Sequence, residues 1–108
     1  FLLFFFTNYI DNTFSLLSSY ISGIEDALKE ENFEKAAKLS ASLRKKLRSK
    51  SEILYYVSDR APIDNAITEC ERLLSFIETK DKSEAYASAM GIAVILEKTK
   101  EKSLFSLP

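Results

Sequence analysis

Histidine and tryptophan are absent from this chain of 108 residues, and cysteine, glycine and proline are scarce. Without histidine, the chain lacks the commonest general base of enzymes and the commonest protein ligand of transition metals. The single cysteine, Cys70, cannot form a disulfide within the chain or a thiolate cage for zinc. Two glycines and two prolines leave few turn formers, so we expect long helices joined by short connections.

The charges are nearly balanced, with 15 Lys and Arg against 16 Asp and Glu, and the length fits one domain. Nucleic-acid-binding domains usually carry a clear basic excess, so we expect no nucleic-acid partner. The di-iron sites of helical bundles need Glu-x-x-His motifs, and no Asp-rich calcium loop is present. We therefore expect no catalytic residue, no metal and no cofactor.

The chain begins with six apolar residues, Phe1–Phe6, whereas a helix needs about 20 to cross a bilayer. We expect residues 1–10 to be the end of a transmembrane or signal-anchor helix that starts upstream, and residues 11–108 to be the bundle domain. The alternative is the hydrophobic end of a core helix. No Lys or Arg follows before Lys29. Because basic residues mark the cytoplasmic side of a span, we expect a single-pass membrane protein with its domain outside the cytoplasm.

Apolar side chains recur every three or four positions in the first half of the chain, as in helices packed side by side. In the first segment, the expected core-facing positions are Leu3, Ile10, Phe14, Leu17, Ile21, Ile24 and Leu28. In the second, they are Ala36, Ser40, Leu43, Leu47, Lys50, Leu54 and Val57. We expect the first helix to end near Glu31–Asn32. The stem of Lys50 is expected to lie along the core face, with its amine in water.

The same spacing continues in the second half of the chain. In the third segment, the expected core-facing positions are Ile63, Ile67, Cys70, Leu74 and Ile77. In the fourth, they are Ala85, Ala89, Ile92, Leu96, Thr99 and Ser103. A cysteine between apolar core positions is expected to fill space as a small hydrophobic side chain.

The connections between the segments are short and carry helix-start signals. Asn32 is a favourable N-cap, Pro62 fits the first turn of a helix, and Asp81 with Glu84 resembles a capping box. Helices joined this tightly must fold back on their neighbours, so we predict an all-α, up-down-up-down antiparallel four-helix bundle. Its first helix is expected to continue from the membrane anchor. A repeat array similar to tetratricopeptide helices is the alternative.

The second helix carries a basic run of seven residues: Lys35, Lys38, Arg44, Lys45, Lys46, Arg48 and Lys50. As a functional site, Lys35, Lys38, Arg44, Lys45 and Arg48 would bind anionic lipid or an anionic wall polymer. The alternative is a solvated helix face, with acidic side chains on the first and third helices as its neighbours. No aromatic residue interrupts the run to stack on bases, which again disfavours nucleic acid.

Aromatic residues are the second candidate surface. If the first helix leaves a membrane, the second returns towards it and the fourth ends there, so Tyr9, Tyr55, Tyr56 and Phe105 collect at the membrane-proximal end. Tyrosine is enriched at bilayer interfaces. The alternative is that these rings cover the end of the bundle core.

The order of features resembles a known family. An apolar start is followed by Ala27–Ala36 (ALKEENFEKA), a long Lys- and Arg-rich helix, a turn at Ser58–Arg60 and the segment Ile77–Ala85 (IETKDKSEA). The chain closes with Lys102–Leu107 (KSLFSL). This pattern resembles domain-of-unknown-function family 4363, small proteins of Gram-positive bacteria. The resemblance implies one N-terminal transmembrane helix, a helical domain outside the cytoplasm and no known activity.

These observations favour a non-enzymatic interaction module that is anchored in a membrane and binds another membrane or envelope protein. One alternative is a soluble cytoplasmic adaptor, or a bundle that self-associates as a homodimer through its apolar start. A further alternative is an anion binder that uses the basic run.

Overall fold

The computed structural model describes residues 2–103, which form four α-helices and, within that range, no strand. Helix α1 spans Leu2–Lys29, α2 Phe33–Val57, α3 Arg60–Glu78 and α4 Lys82–Lys102. Each helix packs against the next, and α4 also packs against α1, whereas the diagonal pairs do not pack together. The predicted up-down-up-down four-helix bundle is therefore confirmed. The contact between α4 and α1 closes the bundle, which an open repeat array would not do.

The core follows the predicted periodicity on three of the four helices. On α2 and α4 every expected position is buried except Lys50, which is half-buried. On α1 the buried positions run from Ile10 to Leu28, but Leu3 is exposed because α1 extends beyond the packed part of the bundle. Helix α1 is continuous through residue 10, where the sequence placed the boundary between anchor and bundle.

The expected core face of α3 is rotated from the observed one. Its buried residues are Ile63, Ala66, Cys70, Leu73 and Ile77. Ile67 and Leu74, which the sequence placed in the core, are only half-buried. Both sets have helical spacing, because the apolar face of α3 is wide. Packing between α2 and α4 turns Ala66 and Leu73 inwards, and Cys70 lies in the core as expected.

Helix α1 ends at Lys29, two residues earlier than the sequence predicted. The cause is Glu31, which adopts the left-handed conformation with φ 57°. The Asn32 N–H then donates to the Ala27 carbonyl at 2.8 Å, and the Glu31 N–H donates to the Leu28 carbonyl at 3.0 Å. This pair of hydrogen bonds defines a Schellman motif, which usually has glycine at the left-handed position.

The connection between α3 and α4 repeats this geometry. Lys80 has φ 59°, the Asp81 N–H donates to the Phe76 carbonyl at 2.8 Å, and the Lys80 N–H donates to the Ile77 carbonyl at 3.0 Å. The residue after each left-handed turn caps the next helix. Asn32 accepts from the Lys35 N–H at 3.1 Å, and Asp81 accepts from the Glu84 N–H at 3.2 Å, as the sequence predicted.

The connection between α2 and α3 is built differently. Ser58 closes α2 by donating its N–H to the Leu54 carbonyl at 3.0 Å, and Asp59 precedes α3 without a side-chain capping bond. Pro62 lies in the first turn of α3, where its missing N–H has no helical partner to lose. This connection lies at the same end of the bundle as the start of α1 and the end of α4.

Candidate functional site

The first turn of α1 is the most exposed apolar surface in the described chain. Leu2, Leu3, Phe4 and Phe5 are between 54% and 82% exposed, and the Phe4 and Phe5 rings meet edge to face at 5.9 Å. Phe6 already packs against the core. We call Leu2–Phe5 the apolar tip. Within residues 2–103, no helix has both the length and the apolar character that a membrane span requires.

Tyr9 lies beside the apolar tip and contacts α2. The Lys50 amine donates to the Tyr9 hydroxyl and lies 4.7 Å from the centroid of the Tyr9 ring. The Lys50 amine, which the sequence placed in water, therefore lies on the exposed surface but also contacts α1. Its stem lies beside the core as expected, but the ammonium group gains a cation–π contact and a hydrogen bond by turning towards α1.

Tyr55 connects the end of α2 to the start of α3. Its hydroxyl donates to a carboxylate oxygen of Asp64, and the Arg60 guanidinium lies 4.2 Å from its ring centroid. The hydrogen bond to Asp64 raises the pKa of Tyr55, and partial desolvation and the negative charge of Asp64 act in the same direction. The positive charge of Arg60 opposes this shift. Tyr55 is thus held in a polar cluster.

The remaining two aromatic candidates differ from Tyr55. Tyr56, in the last turn of α2, is 79% exposed and free to contact a surface at the apolar-tip end. Phe105 lies outside the described residues. Helix direction therefore brings Tyr9, Tyr55 and Tyr56 to one end of the bundle, but only Tyr56 presents most of its ring to solvent.

The basic run on α2 is divided among three directions. Arg44 and Arg48 turn towards α3, where they lie 2.9 Å and 3.7 Å from the Glu71 carboxylate. Lys38 pairs with Glu34 on its own helix at 3.5 Å. The side chains in these pairs are 35% to 83% exposed, so each pair contributes little to stability. The alternative interpretation, a solvated helix face, requires acidic neighbours on α1 or α3, and Glu71 is one of them.

Four lysines of the run form no ion pair within residues 2–103, namely Lys35, Lys45, Lys46 and Lys50. Lys35 and Lys45 are exposed, whereas Lys46 is half-buried. Lys50, the last residue of the run, turns towards Tyr9 instead. Among the five candidates for anion binding, Arg44 and Arg48 turn to Glu71 and Lys38 pairs with Glu34, so the five do not form one cluster.

Cys70 has no feature of a reactive thiol. Its side chain is buried in the core, and this burial raises the pKa of the thiol to about 12, with the negative charge of Glu71 adding to the shift. A thiol with that pKa is almost entirely protonated at neutral pH, whereas the thiolate is the nucleophile. Among residues 2–103, no group of His, Cys, Asp and Glu is arranged to hold a metal ion.

The grooves of the bundle are shallow. One lies between the start of α3 and the end of α4, encloses about 190 Å³ and is lined by Asp59, Asn65, Lys98 and Lys102, among others. Another lies between α1 and α4 beside Ser15, Ser18 and Ala93. Hydroxyl and charged side chains line both grooves, among them Ser58 and Asp59 in the first and Ser18 and Glu97 in the second. Small-molecule sites are usually larger than the first groove.

Comparison with known protein families shows which family this chain belongs to. The family model described as "Domain of unknown function (DUF4363)" matches residues 4–108. The chain belongs to the DUF4363 family. No curated protein and no solved structure matches it. The resemblance inferred from the sequence is thereby confirmed, and the match includes Phe4 and Phe5 of the apolar tip as well as all of α2.

Two features of this DUF4363 domain escaped the sequence reasoning. One is the Tyr55–Asp64–Arg60 cluster, whose members come from two helices and have no shared spacing. The other is the outer face of α4, where Met90 and Val94 are exposed. A signal for the second was present, since residues 85–96 contain no charged side chain. The sequence analysis considered only the core-facing positions of this segment, so the exposed side was missed.

Proposed function

We propose that this DUF4363 protein is a non-enzymatic helical interaction module, held at a membrane by its apolar tip, with another membrane or envelope protein as its partner. The observation that carries the proposal is the exposure of four consecutive large apolar side chains, Leu2–Phe5. Contiguous exposed apolar surface is typical of membrane and protein interaction sites. Tyr9 and Tyr56 lie at the same end, and tyrosine is favoured at the bilayer interface.

The chemistry of the described residues supports a binding role over catalysis. The sequence contains no histidine, and its single thiol is buried and protonated. The ionisable groups that meet across helices, such as Arg44 with Glu71, do so on the open surface rather than in an enclosed cleft. Enzymes usually place their acid, base and nucleophile where burial and neighbours shift pKa values.

Charge placement supports an orientation for the anchored domain. Helix α1 carries no Lys or Arg before Lys29, at its last turn. Basic residues close to a membrane segment favour the cytoplasmic side, so their absence beside the apolar tip favours the extracytoplasmic side. The cytoplasmic adaptor described above is the competing proposal, and it requires the apolar tip to contact protein instead of lipid.

Flotation with lipid vesicles tests the membrane proposal directly. The chain is mixed with phosphatidylcholine vesicles and centrifuged through a density gradient, and the fraction that floats with lipid is measured. We expect the wild-type chain to float and the variant carrying Phe4→Ser and Phe5→Ser to remain at the bottom. The matched control carries Leu16→Ser, which removes an exposed apolar side chain of α1 away from the apolar tip.

The outcomes separate the competing interpretations. If wild type and the double variant float equally, the apolar tip does not hold the chain at lipid. If neither floats, but a membrane protein is captured by wild type and not by the double variant, the apolar tip contacts protein. Adding phosphatidylserine tests the basic run, because charge reversal at Lys35 and Lys45 should then leave flotation unchanged if the apolar tip carries the binding.

A further inference from the structure

A polar groove lies between the start of α3 and the end of α4, at the bundle end that carries the apolar tip. It encloses about 190 Å³, and Asp59, Asn65, Lys98 and Lys102 are among the residues that line it. We call it the α3–α4 groove. An adjoining groove reaches Tyr56 and shares Asp59 and Lys102 with it. Carboxylate, amide and ammonium groups therefore lie on one concave surface.

The polar side chains of the α3–α4 groove leave one another unpaired. Within residues 2–103, Asp59, Lys98 and Lys102 form no ion pair, although groups of both signs line the same groove. The Asn65 side chain is likewise without a hydrogen bond to any residue in that range. An ammonium group only donates hydrogen bonds, a carboxylate only accepts them, and an amide does both. The groove thus offers all three kinds of group to a ligand.

Asp59 occupies the N-cap position of α3 without capping the helix. Its side chain accepts no hydrogen bond from the α3 backbone, whereas Asn32 and Asp81 cap α2 and α4 in that way. A capping bond from aspartate usually stabilises a helix, and α3 forgoes that stabilisation. The Asp59 carboxylate lies instead at the wall of both grooves, where a ligand can reach it.

The α3–α4 groove lies about one helical turn from the apolar tip along the bundle axis. Phe14 and Glu97 line a common groove between the antiparallel helices α1 and α4, so they lie at similar levels. Lys102, five residues beyond Glu97, therefore lies near the level of Tyr9, five residues before Phe14. From Tyr9 to Phe5 of the apolar tip is about 6 Å along the helix. The headgroup layer of a bilayer is about 5–8 Å thick on each side, so a tip in the hydrocarbon places this groove among the headgroups.

The free groups of the groove match a phosphate that carries a primary ammonium group. Lys98 and Lys102 can donate to the phosphate oxygens, and so can the amide of Asn65. The Asp59 carboxylate can accept from the ammonium. A purely anionic headgroup would be repelled by Asp59, and a trimethylammonium group has no N–H to donate. The volume of about 190 Å³ suits a headgroup better than a larger molecule.

We propose that the α3–α4 groove binds the phosphoethanolamine headgroup of a membrane lipid, with the phosphate at Lys98 and Lys102 and the ammonium at Asp59. This proposal rests on the proposed membrane attachment and adds lipid selectivity to it. The apolar tip inserts, and the groove favours one headgroup over others. Because these contacts are exposed to water, they provide a modest preference and the tip provides most of the binding.

Flotation on two kinds of vesicle measures the preference. One kind is pure phosphatidylcholine, the other is an equal mixture of phosphatidylcholine and phosphatidylethanolamine, and the result is the ratio of the two partition coefficients. We expect Lys102→Gln to lower this ratio roughly three-fold. The matched control is Lys100→Gln, which removes the same charge at the groove between α1 and α4. Phosphatidylethanolamine also loosens lipid packing, but that effect raises the ratio of both variants equally. Equal ratios in the two variants would overturn the proposal.

Asp59→Asn tests the contact with the ammonium. Asparagine has nearly the same size and is an equally favourable N-cap, so the fold is retained, but the negative charge is lost. We expect the ratio to fall towards that of a chain without headgroup preference. Asp11→Asn is the control, since it removes an exposed carboxylate of α1 and should leave the ratio unchanged. A ratio for Asp59→Asn equal to that of Asp11→Asn would overturn the assignment of the ammonium to Asp59.

A titration without membranes separates this proposal from the membrane attachment. Nuclear magnetic resonance follows the side-chain amide signals of Asn65 while glycerophosphoethanolamine or glycerophosphocholine is added. We expect saturable shifts with the ethanolamine compound and much smaller ones with the choline compound. Flotation without such shifts and without a lipid preference would overturn the groove proposal and leave the membrane attachment standing. Shifts without flotation on either vesicle would refute the membrane attachment, and with it the lipid as the source of the headgroup.

Discussion

Tyr55 donates its hydroxyl hydrogen to a carboxylate oxygen of Asp64, across the connection between α2 and α3. Arg60 lies over the face of the same ring, at 4.2 Å from its centroid. The cluster therefore joins the last turn of α2 to the first turn of α3, at the bundle end that also carries the apolar tip. It fixes the side chains around a connection of only two residues, Ser58 and Asp59.

The pKa of Tyr55 is expected to fall when Asp64 is replaced by Asn, because the carboxylate is the main cause of its elevation. Tyr55 has a higher pKa in the folded state than its value of 10.0 in the unfolded chain. Its protonated hydroxyl therefore stabilises the fold below pH 10.0, and this stabilisation is lost as the pH rises through the folded-state pKa. The melting temperature of wild type should therefore fall more steeply above pH ~10 than that of Asp64→Asn.

A nuclear magnetic resonance titration of the Tyr55 ring signals measures the pKa itself. Tyr55→Phe is the control for the melting experiment, since it removes the titrating group and should also lose the extra alkaline sensitivity. Identical tyrosine titrations in wild type and Asp64→Asn would contradict the assigned cause.

Replacing Glu31 with Gly is expected to stabilise the protein by about 0.5–1 kcal/mol. Glu31 has φ 57°, a conformation that strains a residue with a Cβ atom, and glycine adopts it without that strain. The gain is partly offset because glycine also increases the conformational entropy of the unfolded chain. Chemical denaturation measures the change in the free energy of unfolding.

The matched control for this prediction is Lys29→Gly, two residues earlier, in the last helical turn of α1. There glycine should destabilise by about 0.5–1 kcal/mol through the helical backbone alone. It also removes the contact of the Lys29 ammonium with the Tyr86 ring, whose centroid lies 5.9 Å away, so the loss is at least that large. Equal effects of both substitutions would show that the left-handed turn carries no strain.

Ser40→Ala is expected to raise the free energy of unfolding by about 1 kcal/mol. The Ser40 hydroxyl is buried and finds no hydrogen-bond partner within the described chain, so folding removes it from water without compensation. The comparison variant is Thr99→Ala, whose buried hydroxyl donates to the Ile95 carbonyl at 2.7 Å. That substitution should lower stability, since it removes a satisfied bond and a methyl group. A stability loss in Ser40→Ala would refute the prediction.

Leu73→Ala and Leu74→Ala test the observed core face of α3. Leu73 is fully buried, so its truncation should leave a cavity and cost about 2–5 kcal/mol. Leu74 is half-buried at the α2–α3 groove, where water fills the vacated space, so its truncation should cost less than half as much. The two free energies of unfolding decide between the predicted and observed rotations of α3, because the sequence-based assignment requires the reverse order.

The sequence predicts where the aromatic residues of the candidate site lie, but not which side chains they contact. Helix directions follow from short connections, so the sequence correctly placed Tyr9, Tyr55 and Tyr56 at one end of the bundle. It did not reveal that Tyr55 binds Asp64 or that Lys50 turns to Tyr9. Those contacts depend on how far each helix is shifted along its neighbour, and the packing of side chains from two helices sets that shift.

Sequence by itself determined the four helices, their order and the capping of α2 and α4, because periodicity and caps act over three or four residues. It also excluded any role for histidine. Only the tertiary structure decided which face of α3 is buried, how the basic run is divided, and that α4 leaves Met90 and Val94 exposed. The physical reason is that local interactions form a helix but leave its rotation free. Packing against neighbouring helices then selects, among faces of similar apolarity, the one that closes the core.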